Sequence, residues 1–168
     1  MQLINDLLNF SRYQNGLQKL TLGPCDVIDL LEHARARFLE QANTQHIELL
    51  VEAQSDLPRL YADQPQLERV LDNLLGNALR HTAEGGQIRL QARRHGERVI
   101  ISVEDNGEGI AYGQQGRIFE PFVQVGRKKG GAGLGLALCK EIVQLHGGRM
   151  GVYSRPGQGT QFYMALPL

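Results

Sequence analysis

The spacing of apolar residues along the chain predicts four helices. In each of them apolar side chains recur every three or four positions and form one stripe. The predicted helices cover residues 1–15, 26–45, 63–82 and 134–146. Asp26 and Asp63 are expected to cap the second and third helices, and Pro65 lies in the first turn of the third. The first helix is too short to form a domain and is typical of the tail of a longer helix.

Apolar runs with the period of a strand lie between and after these helices. Residues 87–94 alternate, with Ile88, Leu90 and Ala92 on one face. The apolar run 99–103 is typical of a central strand. The predicted strands cover residues 46–53, 60–62, 87–94, 99–103, 149–154 and 160–166.

The segments between these elements complete the predicted fold. Gly23-Pro24 indicates a break, and residues 111–131 form a long glycine-rich loop of the kind that serves as a lid or binding loop. The pattern predicts an α/β (α+β) two-layer sandwich. It contains a mixed, mostly antiparallel β-sheet with about three helices packed on one face, a long lid and an extra N-terminal helix.

The composition adds no general charge field to this picture. Of the 168 residues, 42% are hydrophobic, and 18 Lys and Arg balance 18 Asp and Glu. A net charge of zero gives no overall attraction for nucleic acid or an anionic membrane, and no segment approaches the ~18 apolar residues of a membrane span. We therefore expect no nucleic-acid partner and no direct membrane contact. Cys25 and Cys139 are far apart and typical of free thiols in a reducing compartment.

The third predicted helix carries polar residues that could hold a metal and a phosphate. Asn73 and Asn77 are four residues apart and stack on one flank of its apolar stripe, and Arg80 and His81 follow on that flank. The carboxylates of the helix fall on the opposite flank, at Glu68 and Asp72. An amide oxygen suits Mg2+ completed by waters and phosphate oxygens, and an Arg suits a phosphate. Taken alone, two Asn on a solvated helix face would be the favoured interpretation.

Two further segments could approach a flat ligand and a phosphate. Asp105 ends the central strand and begins Asp105–Ile110, in which glycines let the backbone come close to a ligand. An ionised Asp accepts hydrogen bonds only, so it could bind an adenine amino group; a plain Asp-Asn-Gly turn is the alternative. Gly131, Gly133 and Gly135 precede a helix whose N-terminal amides suit phosphates. The pattern is not a P-loop.

Four short segments occur together in a fixed order: Asn73–Ala78, Asp105–Ile110, Gly131–Leu136 and Gly157–Thr160. They resemble the N, G1, G2 and G3 boxes of sensor histidine kinases, within the GHKL ATPase superfamily with its Bergerat fold. Ile118–Phe122 resembles their F box, and Leu7–Arg12 is similar to the end of their dimerisation helix. The resemblance covers essentially the whole chain. It implies that residues 1–20 end the dimerisation and histidine-phosphotransfer helix and that residues 21–168 form the catalytic ATP-binding domain.

The resemblance implies ATP and Mg2+ as ligands. Asn77 would coordinate the metal, Asn73 would support the phosphates or the metal shell, and Arg80 completes the implied catalytic set. Asp105 would bind the adenine amino group, and Thr160 would lie near the adenine pocket. The other implied nucleotide-binding residues are His81, Gly107, Gly109, Ile110, Phe119, Phe122, Arg127, Lys128, Lys129, Gly131, Gly133, Leu134, Gly135 and Leu136.

Departures from the family pattern bear on the reaction. Hydrolytic members carry a Glu where Asn73 stands, and an Asn cannot accept a proton from water, which favours transfer over hydrolysis. The kinases often carry an Arg where Gln124 stands. One of Arg127, Lys128 and Lys129 could replace that Arg, or all three could be a solvated charge run. None of the five His lies in the family's phospho-acceptor context, so the chain is expected to bind ATP and to lack its own acceptor.

The sequence thus predicts the ATP-binding catalytic domain of a two-component kinase. It would transfer the γ-phosphoryl group to a His on its own dimerisation domain, in a homodimer, with relay to an Asp of a response regulator. The domain would be cytoplasmic and the full-length protein would reside in the bacterial inner membrane. The alternatives are an ATP-driven chaperone or topoisomerase module, a protein-serine kinase of the anti-sigma-factor type, and a degenerate module that binds partners without nucleotide.

Overall fold

The computed structural model describes residues 2–14, 16, 19–121, 123 and 135–168. The helices are α1 (Gln2–Gln14), α2 (Val27–Thr44), α3 (Gln64–His81), α4 (Tyr112–Gln115) and α5 (Gly135–Leu145). The strands are β1 (Gly23–Cys25), β2 (Glu48–Ala53), β3 (Leu60–Ala62), β4 (Gln87–His95), β5 (Arg98–Asp105), β6 (Arg149–Arg155) and β7 (Gly159–Pro167).

A mixed five-stranded sheet forms one layer of the fold, in the order β2-β4-β5-β7-β6. Strand β2 runs parallel to β4, and every other pair in this sheet is antiparallel. Strand β5 therefore lies in the middle, as its apolar run predicts. The register places Asp105, the last residue of β5, directly opposite Thr160 of β7.

Helices α2, α3 and α5 pack on one face of this sheet and form the second layer. Leu71 and Leu75 of α3, Ile101 of β5 and Phe162 of β7 are fully buried between the layers. Burial of each such side chain stabilises the fold by about 1.5–3 kcal/mol. The two-layer α+β arrangement predicted from the sequence is confirmed.

Both predicted helix caps are present. The carboxylate of Asp26 accepts a hydrogen bond from the amide of Asp29 at 3.0 Å. The carboxylate of Asp63 accepts one from the amide of Gln66 at 3.3 Å. Asp63 also accepts from the amide of Thr21 at 2.8 Å, so the cap of α3 additionally holds the segment that follows α1.

Helix α1 is docked on the rest of the fold by two aromatic side chains. Phe10 is buried together with Ala137 of α5. Tyr13 is 4% exposed, and its hydroxyl donates a hydrogen bond to Oε1 of Gln66 on α3. Burial raises the pKa of Tyr13 to about 12, because the phenolate would lose its hydration. The end of α1 is therefore part of the packed structure.

Three local predictions from the sequence are wrong. Gly23-Pro24 was predicted to be a break but is part of strand β1, which pairs with β3 and places Pro24 opposite Tyr61. A strand of three residues is too short to show an alternating hydrophobic pattern. The first strand of the large sheet begins at Glu48, because His46 has a φ of 56° and turns the chain. The loop after Ile110 starts with helix α4. The other predicted boundaries lie within one or two residues of the observed ones.

Candidate functional site

Asn73 and Asn77 lie on the flank of α3 that the helical phase predicts. The Nδ2 atom of Asn73 donates to the backbone oxygen of Gly135 at 3.4 Å and to Sγ of Cys139 at 3.6 Å. Asn73 thus faces the first turn of α5, where the predicted phosphate-binding glycines end. The Oδ1 atom of Asn77 accepts from Nη2 of Arg80 at 3.4 Å, which places the predicted metal ligand beside the predicted phosphate ligand.

The acidic flank of α3 points elsewhere, as expected. Asp72 forms an ion pair with Arg37 of α2, with Oδ1 and Nη2 at 2.7 Å. Glu68 accepts from Nε2 of Gln64 at 3.3 Å. Because these carboxylates are directed away from Asn77 and Arg80, they do not repel a phosphate there.

Asp105 is a nearly buried carboxylate at the end of β5, with 6% of its surface exposed. Burial raises the pKa of Asp105 above its ordinary value, while the amide of Gly107, the charge of His81 and the amide of Thr160 act in the opposite direction. The Gly107 amide donates to its Oδ1 atom at 2.9 Å. A buried acceptor of this kind can bind a ligand's amino group.

The loop after Asp105 is held so closely that a side chain on Gly107 or Gly109 would force the surrounding backbone to shift. A Cβ atom added to Gly107 would lie 2.1 Å from the backbone oxygen of His81. Gly109 has a φ of +73°, and a Cβ there would lie 2.2 Å from the backbone oxygen of Arg155. The loop is therefore wedged between the end of α3 and the end of β6, which supports the predicted need for both glycines.

The segment around Thr160 adjoins the same loop. The hydroxyl of Ser154 accepts from the amide of Ile110 at 2.8 Å and donates to the backbone oxygen of Gly159 at 2.8 Å. It also lies 2.9 Å from Oγ1 of Thr160. These bonds join the predicted G1 and G3 segments through one side chain.

Two residues at this junction, Glu108 and Gln115, were given no role of their own from the sequence. Nδ1 of His81 lies 2.7 Å from Oε1 of Glu108. Nε2 of Gln115 donates to the backbone oxygens of Ile110 and Ser154 at 2.9 and 3.0 Å. No pattern in the sequence predicts either set of contacts, because each joins segments that are distant in the chain and close only in the folded structure.

The remaining predicted site residues divide into two groups. Phe119 packs against Phe162 in a T-shaped contact with ring centroids 6.1 Å apart, which supports its role as an anchor of the loop. Leu136 packs against the core at the start of α5. The other predicted residues lie outside the described part of the chain, namely Phe122, Arg127, Lys128, Lys129, Gly131, Gly133 and Leu134.

The donor set restricts the kind of metal site that can form. Within residues 2–14, 16, 19–121, 123 and 135–168, no group of three or more His, Cys, Asp or Glu side chains could hold a metal ion. Asn77 offers one amide oxygen, and Mg2+ accepts such a ligand when water and phosphate oxygens complete its shell. The residues present therefore fit Mg2+ only together with a phosphate ligand.

A cavity of about 570 Å3 opens where the strands end, and Asp105 and Thr160 are among its lining residues. Its lining includes Arg89, Glu104 and Tyr153. Arg89 already lies 3.5 Å from a carboxylate oxygen of Glu52 and 3.7 Å from one of Glu104. The charge of Arg89 in this cavity is therefore balanced by two carboxylates.

Residues 62–168 match the family of histidine kinase-, DNA gyrase B- and HSP90-like ATPases. The chain belongs to this ATPase family. The match includes the flank of α3, Asp105 and Thr160, which are the features that the structure brings together. Among the described residues of this family member, no helix combines the length and the apolarity needed to cross a membrane.

Relatives with curated names are sensor proteins that are much longer than this chain. The alginate biosynthesis sensor protein KinB of Pseudomonas aeruginosa is 68% identical over 166 residues, which make up 99% of this chain and 28% of KinB. The sensor protein DivL of Caulobacter vibrioides is 40% identical over 164 residues, or 98% of this chain and 21% of DivL. The chain spans about a quarter of the length of these relatives.

Solved structures of histidine kinases share the fold. Full-length ShkA in complex with AMPPNP matches with a TM-score of 0.91 and 36% identity, over 99% of this chain and 35% of ShkA. The catalytic domain of histidine kinase ThkA, free of nucleotide, matches with a TM-score of 0.80 and 28% identity, over 88% of this chain and 98% of ThkA's resolved chain. The predicted resemblance to sensor histidine kinase catalytic domains is confirmed.

Proposed function

We propose that this chain is the catalytic domain of a sensor histidine kinase and that it delivers the γ-phosphoryl group of ATP to a His on a dimerisation domain. The observation that carries the proposal is the junction between α3 and the loop that begins at Asp105. At this junction a nearly buried carboxylate and a flank with two amides and a cation belong to one continuous, tightly packed unit.

Recognition of adenine is assigned to Asp105 and its loop. The carboxylate is fixed by the Gly107 amide at 2.9 Å, and it can accept a hydrogen bond from the adenine amino group. Guanine carries a carbonyl oxygen at the corresponding position, which would face the carboxylate oxygen without a shared hydrogen. The site should therefore prefer ATP to GTP.

The phosphates and the metal are assigned to the flank of α3. Asn77 would hold Mg2+ and Arg80 would bind a phosphate, since their side chains meet at 3.4 Å. When bound, Mg2+ neutralises phosphate charge during transfer. Asn73 ties α3 to the start of α5 through Gly135 and Cys139.

Transfer to a protein acceptor is favoured over hydrolysis. In the proposed step the bond between the γ-phosphorus and the oxygen of ADP breaks, and a bond forms to an imidazole nitrogen of the acceptor His. Asn73 cannot serve as a general base for water, so the described site has no group at that position to activate hydrolysis. Positioning and charge neutralisation then supply most of the rate.

The partners and the cellular setting complete the proposal. Residues 1–20 would be the end of the dimerisation helix, and the full-length protein would be a homodimer that passes its phosphoryl group to a response regulator. The longer relatives, which are named as sensor proteins, support a place for this domain within a larger sensor. The domain would be cytoplasmic, with the full-length protein in the inner membrane. Arg127, Lys128 and Lys129 stay candidates for contact with the γ-phosphate.

Phosphoryl transfer in trans tests this function. The chain is mixed with radiolabelled ATP, Mg2+ and the dimerisation domain of the same kinase, and labelled acceptor and free phosphate are quantified. We expect acid-labile label on the acceptor His and little free phosphate. Sustained release of phosphate without labelled acceptor would support the chaperone-like or topoisomerase-like alternative and would contradict the kinase proposal.

A further inference from the structure

Glu108 lies where three segments of the proposed nucleotide site meet. Its amide donates to the backbone oxygen of His81, the last residue of α3, at 3.2 Å. Its backbone oxygen accepts from the amide of Gly157, in the turn between β6 and β7, at 2.7 Å. Its side-chain Oε1 atom lies 2.7 Å from Nδ1 of His81. One residue thus bonds the loop of Asp105 to both of its neighbours.

The residues beside Glu108 leave this loop no room to move. A Cβ atom on Gly107 would collide with His81, and one on Gly109 would collide with Arg155. The backbone therefore touches α3 on one side and β6 on the other. Glu108 lies between these two contacts in the chain, so its bond to the imidazole acts within a closely packed part of the loop.

The contact also fixes the state of the imidazole ring. An ionised Glu can only accept hydrogen bonds, so the hydrogen between the two side chains belongs to Nδ1 of His81. The side chains of His81 and Glu108 are 14% and 32% exposed, so water competes weakly at the imidazole. The bond fixes the orientation of the imidazole ring and places its hydrogen on Nδ1. The Nε2 atom then points away from Glu108.

We propose that Glu108 is a positioning residue for nucleotide binding, which acts through His81 to hold the end of α3 against the loop that carries Asp105. This inference rests on the proposed function, because it concerns the same nucleotide site. The adenine end of the site begins at Asp105, and the phosphate end lies on α3 at Asn77 and Arg80. A fixed distance between these ends lets one nucleotide engage both without first ordering the loop.

A second His–Glu pair supplies a matched control. Nε2 of His46 lies 3.9 Å from Oε1 of Glu84, and the two side chains are 72% and 77% exposed. A pair of that kind contributes little to stability. Glu84→Ala therefore removes a carboxylate next to a His without touching the nucleotide site.

The experiment measures ATP binding by calorimetry for the wild type and for Glu108→Ala, Glu108→Gln, His81→Ala, the double alanine variant and Glu84→Ala. We expect Glu108→Ala to weaken ATP binding about tenfold, which corresponds to about 1.4 kcal/mol. Glu108→Gln should lose no more than about threefold, because its amide oxygen still accepts from Nδ1. The double variant should bind as weakly as His81→Ala alone, and Glu84→Ala should bind like the wild type.

Nitrogen-15 NMR of the His81 ring supplies a readout that a purely structural role would not change. We expect the hydrogen to stay on Nδ1 in the wild type and in Glu108→Gln, and to be lost from that atom in Glu108→Ala. If Glu108→Ala does not fold, the glutamine variant decides. Near wild-type affinity with the hydrogen on Nδ1, together with weakened binding in His81→Ala, would support the proposal, and unchanged affinity with a changed tautomer would overturn it.

The outcomes separate this inference from the proposed function. A wild-type chain that does not bind ATP would contradict the function itself. A wild type that binds ATP while Glu108→Ala binds within about twofold of it would overturn only the role of Glu108. Equal losses of affinity in the alanine and glutamine variants, each matched by an equal loss of thermal stability, would also overturn it.

Discussion

Replacement of Asp105 by Asn changes one atom of the group that is assigned to adenine. The Oδ1 atom can still accept the amide of Gly107, which lies 2.9 Å away in the wild type. The second oxygen becomes an amino group, which donates instead of accepting. The hydrogen donors of the side chain and of adenine would then face each other.

The size of the effect follows from the burial of this side chain. A hydrogen bond to a charged acceptor contributes about 1.5–3 kcal/mol, and Asp105 is only 6% exposed, so little solvent reduces that value. We therefore expect ATP affinity to fall roughly tenfold to a hundredfold. GTP binding should not weaken and should become tighter, because the new amino group can donate to the guanine carbonyl oxygen.

Stability should move in the opposite direction. Because burial raises the pKa of Asp105 above its ordinary value of 3.8, the folded chain binds this proton more tightly than the unfolded chain does. The resulting contribution to stability is full below pH 3.8 and is lost as the pH rises through the raised pKa. Asn carries no charge to desolvate, so the variant should be at least as stable as the wild type at neutral pH.

Calorimetric titration with ATP, together with thermal unfolding at neutral pH and at about pH 4, measures both effects. Asp56→Asn is the matched control, because Asp56 is exposed in a turn far along the chain from the site. Loss of affinity with retained or increased stability is expected for Asp105→Asn alone. Unchanged ATP affinity, or a loss of affinity that a loss of stability accounts for, would refute the assignment.

Three further substitutions test other parts of the structure. Asn77→Ala should remove the Mg2+-dependent part of ATP binding, measured by titration with and without metal; an equal loss in both conditions would remove the metal role. Gly107→Ala should weaken ATP binding at least tenfold, because the added Cβ would lie 2.1 Å from the backbone oxygen of His81; wild-type binding would contradict the close approach. Tyr13→Phe should lower the free energy of unfolding by about 1 kcal/mol through loss of the bond to Gln66; unchanged stability in denaturant titrations would show that this bond does not secure α1.

The elements that the sequence predicts well are those with a local cause. Helix α3 has a capping Asp63, an early Pro65 and a long apolar stripe, and all three features act within a few turns. The helical phase correctly places Asn77 and Asp72 on opposite flanks of α3. Strand β5 contains four apolar residues between positions 99 and 103, which suit a central position, and the register then places Thr160 opposite its last residue.

The elements that the sequence predicts poorly depend on distant partners. Strand β1 is three residues long and exists because β3 pairs with it. His146 is the last residue of the predicted helix 134–146, and its Nε2 accepts from the amide of Asp63 at 3.0 Å while its Nδ1 donates to the oxygen of Ile142 at 2.9 Å. Residues separated by about half the chain meet there, and no local pattern encodes such a contact.

The candidate site divides in the same way. The glycines of the loop and the Asp at the end of β5 can be predicted from the sequence, because backbone geometry restricts which residues fit at those positions. The bond between His81 and Glu108 cannot be predicted from the sequence, because it joins a helix end to a loop 27 positions away. The assignment of residues 1–20 to a dimerisation helix stays a prediction, as do the roles of Arg127, Lys128 and Lys129.

Calorimetric titration of this chain with ATP, ADP and GTP, each with and without Mg2+, tests the assigned nucleotide site as a whole. The structure joins a buried carboxylate, which we assign to adenine, to a helix flank that we assign to metal and phosphate. The account therefore predicts binding that is selective for adenine over guanine and tighter for ATP when Mg2+ is present. Absence of binding, or equal affinity for ATP and GTP with no response to Mg2+, would contradict it.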